Sequence, residues 1–239
     1  MEKIITYDTL RSFAYSNDTL CTRPIRGLVV SFFGLGVLEM YAEDPAAGRY
    51  FAEKGILYLV PYNNPWAWMN AQAVSYTDEL IDVLAEHYGL PDTLPIVSTG
   101  CSMGGLAALT YMVYAKRTPA ACVANCPVCD LPYHYTERPD LPRTLYSALF
   151  NEEGTLQEAL RSRSPLHLAE KMPAAKYIIF HCEEDMAVNK QQHSDRLVEK
   201  LSAIRDVTYI PVPGRGHCDL PEEQAEQYLR FAADAILAR

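Results

Sequence analysis

Short, nearly continuous apolar runs recur along the chain and are separated by segments with helical periodicity. Strands that are buried on both faces of a parallel sheet read as such unbroken runs, whereas strands with one solvated face alternate apolar and polar positions. The pattern therefore predicts the core strands of a mainly parallel sheet. These predicted strands are Gly27–Phe33, Ile56–Tyr62, Leu94–Ser98, Ala121–Asn125, Tyr177–Cys182 and Val207–Val212.

The segments between the runs predict helices that would cover the sheet. In the first of them, Val74, Thr77 and Ile81 recur at a spacing of three or four residues, and Gly89 is a typical helix stop. Because strands alternate with helices along the chain, we expect an α/β fold with a mainly parallel, twisted sheet and helices on both faces. The predicted helices span 71–88, 103–117, 190–204 and 221–238.

Two segments fall outside this alternation. The first 26 residues have no clear pattern, and we expect edge strands there. Residues 131–175 contain five prolines and no core strand, with a helix expected near 142–150. This insertion lies between the predicted strands at 121–125 and 177–182, and it forms either a small cap over a site or a surface excursion. Since no linker-like tract interrupts the pattern, we expect a single domain over 1–239.

Composition and charge narrow the classes of partner. Of the 239 residues, 49% are hydrophobic and 21% are charged, which is an average soluble composition. The net charge of −9 repels phosphate backbones and anionic lipid, which argues against nucleic acids and membranes as partners. We find no apolar stretch of the roughly 20 residues that a membrane span needs, and no signal-peptide core. Seven cysteines without a disulfide-framework spacing favour reduced thiols in the cytoplasm.

The sharpest local signal is the run Gly100-Cys101-Ser102-Met103-Gly104, which matches G-x-S-x-G. It follows a predicted strand and opens a predicted helix, the two contexts that this motif requires. A tight turn there lifts the serine hydroxyl clear of the sheet, and the glycines relieve the crowding of the backbone. Ser102 is therefore the predicted nucleophile, and the helix N-terminus favours negative charge at the reacting centre.

A serine hydroxyl is a poor nucleophile unless a base accepts its proton. His217 lies in a glycine-rich loop between the last predicted strand and the last helix, from which it can reach the C-terminal edge of the sheet. It is the predicted base. His193, within a predicted helix, is expected to face solvent. The remaining histidines are weaker candidates: His87, His134, His167 and His181.

The base in turn needs a carboxylate that fixes its tautomer and stabilises its cation. The strand at 177–182 runs into an acidic segment, and a carboxylate just past a strand end is correctly placed for this role. We expect Asp185, with Glu184 as the next choice and Asp130 as a third. Asp219 is better explained as the N-cap of the last helix.

The order Ser102, Asp185, His217 is the order of these roles in α/β-hydrolases. Over 27–235 the chain resembles α/β-hydrolases of the prolyl-oligopeptidase and dienelactone-hydrolase type, which are serine esterases and peptidases. Those relatives carry His-Gly before the oxyanion turn and His-Gly-x-x-Asp-x-x-Val-Pro at the acid. The resembling segments are Ser31-Phe32-Phe33-Gly34-Leu35-Gly36, Ser164-Pro165-Leu166 and His181-Cys182-Glu183-Glu184-Asp185-Met186-Ala187-Val188-Asn189.

The resemblance implies an oxyanion hole made by two backbone amides. One is the N–H of Met103, directly after the nucleophile, and the other is the N–H of Leu35, with Gly34 as its neighbour. Two such donors stabilise the tetrahedral oxyanion of acyl transfer. The chain departs from the family pattern where Phe33 replaces a histidine, Cys182 replaces a glycine and Asn189 replaces a proline.

Both tryptophans fall in the loop after the predicted strand at 56–62, which opens toward the active-site edge in this fold. We therefore expect Trp66 or Trp68 to line the pocket for the acyl or leaving group, together with Phe33. The alternative is that the tryptophans pack on the core and pin the loop, which is the commoner role of buried aromatic residues.

The spacing of Cys122, Cys126 and Cys129 also matches a pattern of iron–sulfur proteins. The run begins inside the predicted strand at 121–125, where alternate side chains face opposite ways, so we expect buried thiols instead of a cluster. Since zinc-type spacings are missing as well, we expect no metal and no cofactor. The cysteines beside the nucleophile and the base are assigned no catalytic role.

Taken together, these residues predict a cofactor-independent serine hydrolase in which Ser102 attacks a carbonyl, His217 moves the proton and Asp185 orients His217. A small carboxylic ester is the expected substrate, because the peptidases of this type usually carry an N-terminal propeller for which this chain has no room. A peptidase or amidase acting on short peptides is the alternative. A non-catalytic binding module on the same fold, or a transferase or carbon–carbon-cleaving member, stays open.

Overall fold

A computed structural model of the chain describes residues 4–37 and 39–238. The strands within these residues form one seven-stranded sheet. They are β1 (Ala14–Ser16), β2 (Gly27–Phe32), β3 (Ile56–Pro61), β4 (Ile96–Cys101), β5 (Ala121–Asn125), β6 (Lys176–Cys182) and β7 (Asp206–Val212). Their order is β1-β3-β2-β4-β5-β6-β7, and all neighbours pair in parallel except β1, which pairs antiparallel with β3.

Helices connect the strands and cover the sheet. The α-helices of the described residues are α1 (Ala46–Ala52), α2 (Ala71–Tyr88), α3 (Met103–Tyr114), α4 (Leu131–Glu137), α5 (Leu141–Leu149), α6 (Leu156–Ser162), α7 (Pro165–Leu168), α8 (Arg196–Ser202) and α9 (Glu222–Leu237). A π-helical turn, Gln191–Asp195, directly precedes α8. At the N-terminus of α2, the Asn70 side chain accepts a hydrogen bond from the Ala73 amide, and Gly89 ends that helix with φ of 62°.

Successive side chains of each core strand enter hydrophobic clusters on opposite faces of the sheet. In β2, Leu28 and Val30 join one cluster, which α2, α3 and α8 complete, while Val29 joins the other, which α1 and α9 complete. Both faces are therefore buried, which explains why the strands lack polar alternation. The predicted α/β-hydrolase architecture, with a mainly parallel sheet between two helical layers, is confirmed.

The boundaries of some elements differ from the prediction. The strand expected at Leu94–Ser98 begins at Ile96 and continues to Cys101, because Thr99 and Gly100 still pair with both neighbouring strands. The helix expected over 103–117 ends at Tyr114, since the Lys116 amide donates to Asp78 instead of continuing the helical ladder. The other five predicted strands agree with the structure to within one residue at each end.

The start of the chain agrees in part with the expected edge strands. Residues 4–26 contain one strand, β1, which lies at the edge of the sheet beside β3, together with short 3-10 turns. The helix α9 begins at Glu222 with Pro221 as its N-cap. Asp219 does not cap it and pairs instead with Arg215 at 3.2 Å. This salt bridge lies within the loop that carries His217.

The insertion at 131–175 folds into α4 to α7 and one 3-10 turn. Its helices pack on one another and on α3, through the apolar residues Leu131, Leu141, Leu145 and Leu160 of the larger core cluster. The start of α4 therefore lies at the carboxyl end of β5, beside the edge of the sheet that bears Ser102.

Candidate active site

Ser102 occupies the sharp turn between β4 and α3. Its backbone has φ of 60° and ψ of −123°, a conformation that a residue other than glycine rarely adopts and that is found most often at functional sites. The turn is fixed by the Ser102 amide, which donates to the Asn125 carbonyl at 3.0 Å. The chain therefore holds Ser102 in a strained turn at the carboxyl end of a central strand.

Two glycines allow this turn to form. A Cβ on Gly104 would lie 2.1 Å from the carbonyl oxygen of Phe32, and a Cβ on Gly100 would lie 2.2 Å from the carbonyl oxygen of Gly104. Both separations are far below van der Waals contact, so a larger residue at either position would push α3 away from the sheet. The spacing of the motif follows from this close packing.

His217 and Asp185 form a hydrogen-bonded pair at the same edge of the sheet. The Nδ1–H of His217 donates to Oδ2 of Asp185 at 2.6 Å. Oδ1 of Asp185 accepts from the amides of Ala187 and Val188 at 2.8 and 2.9 Å, and Oδ2 also lies 3.4 Å from Nε2 of His181. These contacts hold the carboxylate in one orientation and fix the His217 tautomer, which leaves Nε2 of His217 able to accept a proton.

The surroundings of this pair favour the charged form of both residues. Burial opposes ionisation of Asp185, but hydrogen bonds from two imidazoles and a backbone amide hold its pKa well below the usual range. Burial likewise opposes protonation of His217, yet its hydrogen bonds with Asp185 and Cys126 raise its pKa to about 9. The site therefore stabilises the cation that a base forms when it takes a proton.

Ser102 and His217 line the same cavity, which has a volume of about 370 Å³. Within the described residues, no hydrogen bond of 3.5 Å or less joins the serine hydroxyl to the imidazole. Catalytic hydrogen bonds of this kind are commonly long in the free enzyme and tighten when substrate binds. The two groups thus border one open space, as proton transfer from the serine requires.

Of the two residues whose amides are predicted to bind the oxyanion, Leu35 lines this cavity and Met103 lines the small crevice beside it. Met103 is the first residue of α3, so its N–H has no acceptor within the helix. Within the described chain, neither this N–H nor that of Leu35 donates a hydrogen bond. Gly34 and Leu35 both line the cavity, and a Cβ on Gly34 would lie 3.8 Å from the Cβ of Ser102. Two unpaired donors therefore border the space next to the serine.

The three aromatic residues predicted to bind substrate lie in different places. Trp68 lines the Ser102 cavity although it is only 1% exposed, and its Nε1–H donates to Thr144 at 3.2 Å. Phe33 lines a small neighbouring crevice, and Trp66, which is 40% exposed, borders a different and larger cavity. Trp68 thus combines the two roles that the sequence left open, packing on the core and forming a wall of the site.

The part of the chain that carries Ser102, Asp185 and His217 matches a known family. Residues 67–234 match the prolyl oligopeptidase family. The chain belongs to this family. The matched range begins after the loop that contains Leu35, so the family match does not extend to the predicted first donor of the oxyanion hole.

Solved structures of low sequence identity share the fold of this prolyl oligopeptidase family member. A puromycin hydrolase is 19% identical with a TM-score of 0.73, and the alignment covers 91% of this chain and 35% of that one. An S-formylglutathione hydrolase from Agrobacterium tumefaciens is 16% identical with a TM-score of 0.70, covering 93% and 88%. An esterase from Thermogutta terrifontis, a Planctomycetes species, is 19% identical with a TM-score of 0.64, covering 94% and 88%.

The chain spans about a third of the length of the puromycin hydrolases that it matches. No curated protein matches it in sequence. Among the helices of the described residues, none combines the length and the apolar character needed to cross a membrane. The likeness to solved structures therefore establishes the fold, and the choice of substrate has to be argued from the site itself.

Sequence reasoning misses a second acid–imidazole cluster beside the cavity of this family member. Glu137 accepts hydrogen bonds from Nδ1 of His134 and from Nε2 of His193, the latter at 2.9 Å. Nδ1 of His193 accepts in turn from the amides of Cys129 and Asp130. His134 lines the cavity with Ser102. The only signal in the sequence is the spacing of His134 and Glu137, because His193 lies 56 residues farther along the chain.

The expectation that His193 faces solvent is wrong. His193 is fully buried, because the π-helical turn Gln191–Asp195 presents it to the interior at the carboxyl end of β5. His193 precedes the buried Leu197 and Leu201 by four and eight residues, so all three lie on the same buried face of this helical segment.

The cavity has a positive lining although the chain as a whole is acidic. Arg138 borders it together with His134 and His217, and no Asp or Glu does so among the described residues. Nε and Nη2 of Arg138 donate to the Asp140 carboxylate at 3.1 and 2.8 Å. The site is therefore better suited to neutral or negatively charged substrate groups than to free amines.

The other two carboxylates considered for the acid have different surroundings. Glu184 is exposed, and Asp130 caps α4 and pairs with Arg196 at 2.8 Å. Of the three carboxylates, Asp185 is the one hydrogen-bonded to His217. The cysteines of the iron–sulfur spacing lie apart as well: Cys122 and Cys129 pack on one face of the sheet and Cys126 on the other.

Proposed function

We propose that this protein is a serine hydrolase that cleaves a carboxylic ester of a small substrate through an acyl-enzyme intermediate. One observation carries the proposal. Ser102, held in a strained turn at the start of α3, borders the same cavity as His217, whose Nδ1 is held by Asp185 at 2.6 Å. A nucleophile, a base and a group that orients the base are the parts that acyl transfer requires.

In the proposed reaction, Ser102 Oγ attacks the ester carbonyl while Nε2 of His217 accepts the serine proton. His217 then donates this proton to the departing alcohol, and the acyl-enzyme forms. A water molecule, deprotonated by His217, hydrolyses the acyl-enzyme and restores the serine. Asp185 keeps Nδ1 protonated throughout and stabilises the imidazolium by its charge.

The negative charge that develops on the carbonyl oxygen needs donors that are in place before the reaction. We assign this role to the amides of Met103 and Leu35, which are unpaired in the described chain and border the serine. The loss of one such donor typically costs about 10²- to 10³-fold in rate. The N-terminus of α3 adds a favourable dipole at the same place.

The charge of the cavity supports an ester over a peptide with a free N-terminus. Recognition of an α-ammonium group calls for carboxylates, whereas the lining residues that carry positive charge are Arg138 and His217. A peptidase or amidase that acts on short or blocked peptides is the second candidate, and membership of the prolyl oligopeptidase family favours it. We further propose that the helices of 131–175 cap the site within a single domain, with Trp68 as a wall of the acyl pocket.

A cytoplasmic location is part of the proposal. All seven cysteines are free thiols, and a reducing compartment keeps thiols in this state. The net charge of −9 argues against nucleic acid and anionic membranes as partners, so the expected partner is a small molecule.

The first experiment compares Ser102→Ala with the unaltered protein in hydrolysis of p-nitrophenyl acetate and in labelling by a fluorophosphonate. We expect both to be lost, because the label reacts with the activated serine. Ser147→Ala, at an exposed position of α5, is the matched control and should keep both. If Ser102→Ala still takes up the label, the nucleophile lies elsewhere. Parallel assays of an ester and an anilide with the same acyl group then decide between esterase and amidase.

A further inference from the structure

Two thiols surround the side of His217 that faces away from Asp185. Sγ of Cys126, Sγ of Cys218 and a ring nitrogen of His217 all lie within 4.8 Å of one another. Sγ of Cys218 is 3.6 Å from Nε2 of His217. Since Nδ1 is occupied by Asp185, Nε2 is the nitrogen that faces the two sulfurs.

Unusual backbone conformations bring these thiols together. Cys126, just after β5, has φ of 45°, and Cys218, in the histidine loop, has φ of 58°. Residues other than glycine adopt such angles at a cost, and cysteine is not among the residues that tolerate them best. The backbone is therefore strained at both cysteines, and these strained conformations place two sulfur atoms beside one imidazole.

Backbone donors stabilise a negative charge on the buried sulfur. Sγ of Cys126 accepts hydrogen bonds from the amides of Cys182 and Cys218 at 3.3 and 3.4 Å. These two amides are fixed by β6 and by the histidine loop, and they favour the thiolate, which is the form that binds metal ions.

The separation of His217 and Cys218 fits a tetrahedral metal ion. Bond lengths of about 2.1 Å from zinc to nitrogen and about 2.3 Å from zinc to sulfur separate the two ligands by about 3.6 Å in a tetrahedron. That is the separation of Nε2 of His217 and Sγ of Cys218. Asp185, bound to Nδ1, completes the carboxylate–histidine arrangement that commonly orients an imidazole toward a metal.

We propose that Cys126, Cys218 and Nε2 of His217 form a binding site for a thiophilic divalent cation such as Zn²⁺, which switches the hydrolase off. The metal occupies the lone pair with which His217 takes the Ser102 proton, so binding of the metal and catalysis exclude each other. The inhibitory part of this inference rests on the proposed function. The metal reaches the site through the Ser102 cavity, which Cys218 and His217 both line.

The binding test uses Co²⁺ as a spectroscopic probe of the full-length protein, with a phosphine reductant present to keep the thiols reduced. We expect one Co²⁺ per chain and a thiolate-to-cobalt charge-transfer band, which a site of nitrogen and oxygen ligands does not give. The band should persist in Ser102→Ala, since that residue supplies no ligand. Its loss in both Cys126→Ser and Cys218→Ser supports the site.

The inhibition test measures the Zn²⁺ concentration that halves ester hydrolysis, comparing each variant with its own metal-free rate. Cys126→Ser and Cys218→Ser should each raise this concentration at least about tenfold, because removal of even a supporting contact commonly weakens metal binding by about 10- to 100-fold. Cys21→Ser is the matched control: its thiol contacts Asn17 and Ile56, and it should leave zinc sensitivity unchanged.

The outcomes separate this inference from the proposed function. A cobalt band in a protein that hydrolyses no ester supports the metal site and contradicts the hydrolase. Hydrolysis without a cobalt band, or with a band that survives both cysteine substitutions, overturns the metal site and leaves the hydrolase intact. Zinc inhibition of equal strength in all variants also overturns it, because the ion then binds elsewhere.

Discussion

Two carboxylates near the cavity each have two imidazole neighbours, yet the two imidazoles that line the cavity differ in character. Asp185 is shared by His217 and His181, and Glu137 is shared by His134 and His193. One histidine of each set, His217 or His134, lines the cavity. The comparison of these two clusters shows how neighbours decide which imidazole can act as a base.

The charge of the nearest neighbours makes the difference. Burial lowers the pKa of His217, but the hydrogen bond with Asp185 and, after it, the neighbouring Cys126 sulfur raise the pKa to about 9. His134 is nearly fully buried, and that burial, together with the neighbouring His193, lowers its pKa although Glu137 acts against this. His217, which is partly exposed and has anionic neighbours, can therefore hold a proton during the reaction. His134, which is buried beside a second imidazole, forms part of the cavity wall.

The largest expected effect comes from removing the charge of the first carboxylate. Asp185→Asn should lower kcat for ester hydrolysis by about 10⁴-fold, because an amide favours the wrong His217 tautomer and does not stabilise the cation. Steady-state kinetics measures this, and circular dichroism checks that the fold is kept. Glu184→Gln, an exposed neighbour, is the control and should have nearly full activity. A loss of less than tenfold in Asp185→Asn would show that another acid orients His217.

The corresponding change in the second cluster should act on stability instead. Glu137→Gln replaces an acceptor that is shared by two imidazole N–H groups, and we expect a loss of about 1–3 kcal/mol in the free energy of unfolding. Denaturant unfolding measures this loss. We expect kcat to fall less than tenfold, since Glu137 does not touch His217. A fall comparable to that of Asp185→Asn would contradict the structural role assigned to this cluster.

The pH dependence of hydrolysis tests whether the neighbours of His217 raise its pKa. The base must be neutral to accept a proton, so a pKa of about 9 means that kcat/KM should rise with pH and reach half its plateau near pH 9. Cys126→Ala removes one anion and should move this midpoint to lower pH. Other titratable groups that face His217 are Asp185, Cys101 and Cys218. An unchanged midpoint in Cys126→Ala would show that the thiol does not act on the base.

The smallest effect on activity is expected when the positive charge of Arg138, which lines the cavity, is removed. Arg138→Gln should lower kcat/KM for an ester with a carboxylate group by about fivefold relative to a neutral ester, as an exposed ion pair contributes up to about 1 kcal/mol. Arg143→Gln, an exposed position on α5 outside the cavity, makes the same charge change and should leave this ratio unaltered. Equal ratios in both variants would remove Arg138 from substrate recognition.

The fold and the Asp185–His217 pair could be predicted because their signals are local. Apolar runs mark strands with two buried faces, and Ser102 lies in a motif whose glycines the packing demands. Asp185 follows the end of β6 by three residues, where parallel strands bring their loops to one edge. In each case a few adjacent residues carry the information.

The second cluster and the thiols could not be predicted for the opposite reason. His193 and Glu137 meet across 56 residues, and no local pattern marks these two side chains as partners. Cys126 and Cys218 are 92 residues apart, and both depend on backbone angles that cysteine seldom adopts. The end of β4 could not be predicted either. Thr99 and Gly100 are typical turn residues, and only their pairing with both neighbouring strands shows that β4 continues through them.

The π-helical turn Gln191–Asp195 has a consequence for how the two clusters move. Its neighbouring residues serve one cluster each: His193 donates to Glu137, and the Ser194 hydroxyl donates to Nδ1 of His181 at 2.6 Å. His181 in turn contacts Asp185. The peptide bond between His193 and Ser194 therefore joins the two clusters, and a shift of this one turn would displace a partner of Glu137 and a partner of His181 at the same time.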